Sequence, residues 1–271
     1  MSECTGNCAS CSSDCGSRKE SFIEPANKNS KIKHVVAVIS GKGGVGKSMV
    51  TSMLAVALSK KGYKVGILDA DITGPSIPKS FGIMQRAQQN DMGILPAETK
   101  GGIKVISVNM MLEQSDAPVI WRGPVIAGAV KQFWTDVYWG ELDYLLIDCP
   151  PGTGDVPLTI FQSVPLDGAI IVTSPQDLVS LIVKKAYNMA KMMNINVLGI
   201  VENMSYFICP DCGKKHSIFG TGSDDVAEET GTELLAKLPI DPTVATMVDC
   251  GAIEHYEGDH LAAAVEKLEK L

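Results

Sequence analysis

The segment GKGGVGKS at 41–48 carries the spacing G-x-x-x-x-G-K-[ST] through Gly41, Gly46, Lys47 and Ser48. Small residues at Gly43 and Gly44, with Val45 after them, let successive backbone N–H groups curl round phosphate oxygens. A helix beginning at Lys47, Ser48 and Met49 adds the partial positive charge of its N-terminus. Lys47 is expected to reach the β- and γ-phosphates of a nucleoside triphosphate, and the Ser48 hydroxyl to ligate Mg²⁺. The alternative is an ordinary Gly-rich turn. Against it, the β-branched run HVVAVIS precedes the loop and the helical pattern MVTSMLAVALSKK follows it.

Two acidic loops extend the same chemistry. In DADITGPS, Asp69 and Asp71 fall just beyond an apolar strand, where open α/β sheets bind ligands. Asp71 is the candidate for orienting or deprotonating an attacking water and for the Mg²⁺ shell. Asp69 either joins that shell or ends the strand. In LLIDCPPGTGD, Asp148 ends another apolar strand and is placed to hold Mg²⁺. The Pro and Gly residues that follow it suit a segment with two discrete positions, with Gly152 and Gly154 able to contact a γ-phosphate.

Six of the eight cysteines fall in two clusters. Cys209 and Cys212 form a C-x₂-C knuckle in CPDCGKKH. One knuckle supplies two thiolates, whereas a tetrahedral zinc or a cubane cluster takes four. A two-fold dimer would bring the second pair. A zinc site completed in cis, with His216 as a candidate ligand, and a redox dithiol are the other readings. Cys4, Cys8, Cys11 and Cys15 form a second group, spaced C-x₃-C-x₂-C-x₃-C, in a segment with almost no large apolar side chain. Metal binding would order such a segment. Cys149 and Cys250 are expected to be structural.

The elements that must position these groups follow from the apolar pattern. Strands are expected at 65–69, 103–109, 144–149, 168–174 and 196–203, and helices at 124–138, 178–193, 223–230 and 259–271. Strands apolar on both faces and alternating with helices imply an α/β fold with a mostly parallel sheet covered on both sides. Residues 1–30 read as a Cys-rich tail and 31–271 as the body. A net charge of -7 disfavours non-specific nucleic-acid binding. No apolar stretch reaches the ~20 residues of a membrane span, and the N-terminus lacks a signal-peptide core. The default compartment is the cytoplasm, where clustered cysteines bind metal or do redox chemistry.

The KGGVGKS form, with an extra lysine at Lys42, resembles the deviant Walker A motif of the ParA, MinD and nitrogenase iron-protein group of P-loop NTPases. That resemblance implies that Lys42 reaches across a dimer interface to the partner's nucleotide, as an arginine finger does. It also implies that Asn203 in VENMS hydrogen-bonds adenine, selecting ATP. LPIDP at 238–242 resembles a second base-side segment. KGGVGKS, DADITGPS, IDCPPGTGD and ENMSYFICPDCGKKHSIFG together resemble the Mrp/NBP35 (ApbC-like) family of ATP-binding iron–sulfur carriers, over roughly residues 32–250. The family implies a homodimer bridging a [4Fe–4S] cluster through the C-x₂-C pair, weak ATPase activity and transfer to apo iron–sulfur recipient proteins. NBP35-type members also carry four N-terminal cysteines, but with a longer first spacing. A MinD-like positioning ATPase would need a basic amphipathic membrane helix. The last segment, DHLAAAVEKLEKL, has three acids against two lysines and reads instead as packed on the body. A ParA-like DNA binder, an electron-transferring reductase and a zinc-stabilised nucleotide-binding regulator are the other rivals.

Overall fold

The computed structural model describes residues 22–71, 76–111, 123–176, 179–219 and 223–271. The tail cysteines Cys4, Cys8, Cys11 and Cys15 lie outside the described residues. In chain order, β1 (Lys31–Ile39) leads to α1 (Lys47–Lys60), β2 (Val65–Asp69) and α2 (Ser76–Ser80). A hairpin of β3 (Gln88–Asn90) and β4 (Gly93–Leu95) precedes β5 (Ala97–Glu98), β6 (Lys104–Ser107) and α3 (Gly123–Asp136). Then come β7 (Glu141–Asp148), α4 (Asp155–Ser163), β8 (Gly168–Thr173), α5 (Val179–Met192) and β9 (Val197–Ile208). The chain ends with β10 (Lys215–His216), α6 (Asp224–Thr230), β11 (Leu234–Pro239), α7 (Pro242–Asp249) and α8 (Ala262–Leu268).

The strand order β10-β9-β8-β1-β7-β2-β6-β5, with β11 also paired to β9, makes the main sheet. Pairings from β9 through to β6, and that of β11, are parallel, whereas β5 and β10 run antiparallel to their neighbours in this sheet. Successive strand residues point to opposite faces. On β1, Val36 and Val38 join the core under α1, α7 and α8, while Val35, Ala37 and Ile39 join the core under α3, α4 and α5. Adjacent strands β1 and β7 send their following helices, α1 and α4, to opposite faces. The crevice beyond their carboxyl ends is therefore a topological switch point, where α/β sheets bind ligands.

The strand expected at 65–69 has those bounds in the structure. The strand expected at 103–109 stops at Ser107, where the Ser107 hydroxyl accepts from Asn109 N at 3.2 Å and turns the chain into a 3₁₀ segment. β9 runs five residues past 203, because Tyr206 O accepts from Ile240 N at 2.7 Å and β10 folds back on its end. The pattern did not reveal α4, whose Pro157 sits in the first turn, where a helix needs no N–H donor. It also missed α2, α7 and β11, all eight residues or shorter. The final segment is packed as expected: α8 buries Ala264, Val265 and Leu268 in the core. Glu24 N donates to Ser163 O at 2.8 Å and Asn27 Nδ2 to Met92 O at 3.0 Å, so the chain is tied to the body from Glu24 onward.

Two glycines fix α7 against α2 beside the crevice. Gly251 has φ +69, and a Cβ there would fall 2.5 Å from the Gly82 Cα. Gly251→Ala is expected to cost about 1–3 kcal/mol of folding stability, read as a lowered urea midpoint.

Candidate functional site

The loop at 41–48 wraps the crevice because its glycines go where side chains cannot. A Cβ on Gly41 would lie 2.0 Å from Ile182 Cγ2 and 2.7 Å from Ile182 O. Gly46 has φ +77, and a Cβ on it would meet Asn203 Nδ2 at 2.2 Å. The loop residues, Asp71, Ser76, Ser80, Pro151 and Val248 line a cleft of about 360 Å³.

At its floor, Lys47 Nζ pairs with Asp148 Oδ1 at 2.7 Å, with the two side chains 5% and 0% exposed. Burial works against the Lys47 charge, but the attraction and hydrogen bond of Asp148 outweigh it and hold the ammonium above its ordinary value. Ser48 Oγ donates to Asp148 Oδ2 at 2.6 Å, and Thr51 Oγ1 lies 2.9 Å from Asp148 Oδ1 and 3.0 Å from Lys47 O. The motif did not point to Thr51. The available signal was its place one helical turn beyond Lys47, on the same face of α1.

Asp69 ends β2 in register with Asp148 and is buried. Burial first, and then the Asp148 charge, raise its carboxyl well above the usual range. Its Oδ1 accepts from Asp71 N at 3.1 Å, which turns Asp71 toward the cleft, while its Oδ2 is buried without a hydrogen-bond partner. Gly152, at φ +88, donates its N–H to Ser40 O at 2.8 Å, and Gly154 precedes α4. No motif pointed to Gln176, whose Oε1 accepts from Lys42 Nζ.

Asn203 is fully buried, and its Nδ2 donates to Val45 O of the loop at 2.9 Å. Its Oδ1 is buried without a partner. In LPIDP, Asp241 caps α7 by accepting from Thr243 N at 2.8 Å.

The cysteine pair lies at the tip of the β9–β10 hairpin, beyond the same strand end. Cys209 N donates to Lys214 O, and Gly213 N to Cys209 O, both at 2.9 Å, with Gly213 at φ +68. The N–H groups of Cys212 and Asp211, followed by the Cys212 thiol, pull the Cys209 thiol below its ordinary value. Cys209 is thus biased toward the thiolate, the metal-binding form. His216 pairs with Phe207 across the hairpin. Among the described residues no three Cys, His, Asp or Glu side chains converge on a metal position. Cys149 is buried directly after β7, whereas Cys250 is exposed after α7.

The model of the NUBPL iron-transfer P-loop NTPases, within the ParA group, matches residues 31–270. The iron-sulfur cluster carrier protein of Methanocaldococcus jannaschii is 48% identical, over 99% of both chains. That of Saccharolobus solfataricus is 50% identical over 83% of this chain and 77% of its own. A nucleotide-binding protein of Archaeoglobus fulgidus, solved with ADP, superposes with a TM-score of 0.76 at 47% identity, covering 84% of this chain and 90% of that one. MinD of Pyrococcus horikoshii, at TM-score 0.61 and 21% identity, covering 88% and 95%, shares the fold.

Lys47→Ala leaves the buried Asp148 beside Asp69 without its paired ammonium. Urea unfolding near pH 7 should show a loss of about 3–5 kcal/mol. An unchanged midpoint would show that the pair does not hold the crevice together. Burial pushes the Cys149 thiol from 9.0 up to about 12. The unfolded chain releases that proton first, so this thiol lowers stability as pH rises from 9.0 toward about 12. At pH 8, iodoacetamide and mass spectrometry should find Cys209, Cys212 and Cys250 labelled in the native protein, and Cys149 only after denaturation.

Proposed function

Because the chain belongs to the family of NUBPL iron-transfer P-loop NTPases, we propose that it is an ATP-dependent iron–sulfur carrier. In this reading it binds a [4Fe–4S] cluster between two copies of itself and passes it to apo-proteins, with slow ATP hydrolysis coupled to transfer. The observation that carries the reading is the Cys209/Cys212 pair, half or fully exposed at a hairpin tip with Cys209 biased toward the thiolate. Two copies of the pair supply the four thiolates a cubane takes. The exposed side chains of Ile208, Ile218 and Phe219 beside it give apolar surface for the second copy to cover. Cys4, Cys8, Cys11 and Cys15 are assigned as a second iron–sulfur or zinc site.

In the cleft, Ser48 Oγ and Asp148 Oδ2 converge to 2.6 Å, an oxygen pair of the kind that suits Mg²⁺. Ser48 and Asp148, with Asp71 beside them, would hold the ion, which supplies neutralisation of phosphate charge. The N–H groups of the loop from Gly41 to Met49 cradle the phosphates, and Lys47 turns from Asp148 to the β- and γ-oxygens. Asp71 takes the proton of the water attacking the γ-phosphorus. As that bond forms, the bond to the β–γ bridging oxygen breaks and ADP departs with its electrons. Lys42, held by Gln176 in the single chain, crosses to the second copy's nucleotide. Asn203, whose buried Oδ1 is unpaired while Nδ2 holds Val45 O, would accept from the adenine amino group once the loop moves off it.

The test is anaerobic reconstitution of the full chain and of a Cys209→Ser/Cys212→Ser variant, with iron, sulfide and mass measured on both. The wild type should form an iron- and sulfide-loaded dimer, and the variant should lose the iron and sulfide held at the bridge. Equal loading in both, or zinc without sulfide in the wild type, would refute the carrier reading.

A further inference from the structure

β9 carries both functional ends of the molecule. Asn203, at 0% exposure, is pinned to the phosphate loop through Val45 O, and Cys209 begins the knuckle six residues later. Between them the strand is irregular. Glu202 pairs with Lys237 and Tyr206 with Pro239, so four steps along β9 match two along β11. Within this bulge Met204 has φ +56. For a residue bearing a side chain that conformation costs free energy and persists only where its surroundings enforce it.

Flanking Met204 is the Glu202 carboxylate, 1% exposed. Its Oε1 accepts from Ser205 Oγ, on the leg that runs out to the cysteines. Its Oε2 accepts from Ser223 N, on the leg that returns from them into α6. Buried carboxylates are retained where donors satisfy both oxygens, and removing them strands those donors. A single side chain thus grips both legs of the hairpin while its neighbour in sequence touches the loop that receives phosphate. The phosphate-binding machinery itself makes no use of Glu202.

We propose that Glu202 is a positioning residue that passes the state of the phosphate loop to the Cys209/Cys212 pair. When phosphate draws the loop in, Val45 shifts against Asn203. The strained bulge then changes its arrangement, and the carboxylate moves Ser205 and Ser223 together, swinging the hairpin as a unit. A two-state element of this kind, biased from one end, is what coupling between separated sites requires. The inference rests on the carrier reading for the use made of the thiols, but its own readout needs no iron.

The experiment follows alkylation of Cys209 and Cys212 in the full-length apo-protein, with and without ATP and Mg²⁺, alongside nucleotide affinity. ATP should change the wild-type alkylation rate by at least about fivefold, the lower end of ordinary coupling. Glu202→Ala should bind nucleotide with an affinity within about threefold of wild type and yet lose the alkylation response. Glu202→Gln keeps an acceptor for Ser223 N and should restore part of it. Ser205→Ala removes one arm alone; it should shrink the response, and it carries the test if Glu202→Ala fails to fold. A full ATP response in the folded alanine variants would overturn the inference, as would wild-type thiols that ignore ATP. Iron and sulfide loading of the same wild-type protein after anaerobic reconstitution, measured separately, tells either failure apart from failure of the carrier reading.

Discussion

The site depends on a charged pair taken out of water, Lys47 against Asp148. Isolating either charge at that depth would be prohibitive, so each requires the other. The pair joins the start of α1 to the end of β7 and so ties the phosphate loop to the switch-point crevice. Asp69, beside Asp148 and mostly deprived of solvent, makes the ammonium still more necessary. A nucleotide offers Lys47 a second set of anionic oxygens. The contact that stabilises the crevice is thus the one that a nucleotide must rearrange. In the same exchange Ser48 can leave Asp148, while Thr51 remains to orient it.

The second constraint is mechanical. A parallel sheet gathers strand ends at one edge, so β1, β7 and β9 deliver the phosphate loop, Asp148 and the cysteine hairpin to the same side of the molecule. β9 outruns its neighbours and places the thiols beyond the body, where another molecule can share them. Its bulge allows one strand to serve a rigid sheet at one end and an exposed tip at the other.

The architecture shared with MinD, at 21% identity, is the fold alone, and a fold does not fix a function. The last helix of this chain, α8, spends its apolar side on the core through Ala264, Val265 and Leu268, and none of the described helices is long and apolar enough to cross a membrane. The knuckle at 209–212 is the local feature on which the proposed carrier chemistry rests.

Much of this was legible in the chain because it is written in short-range patterns. Glycine spacing from Gly41 to Gly46, a lysine followed by a hydroxyl at Ser48, aspartates at the ends of apolar runs and a C-x₂-C pair each encode chemistry within a few residues. The long apolar strands and helices were readable for the same reason. Short elements such as α4 and β11 were not, since their apolar residues are too few to show a period and their stability comes from neighbours. Nor could sequence pair Lys42 with Gln176, Thr51 with Asp148, or Glu202 with Ser223, contacts across 134, 97 and 21 residues. Local spacing determined which groups could act on phosphate and on metal. Only the packing of distant segments decided which charges lost their water, and that loss turned ordinary side chains into obligate partners.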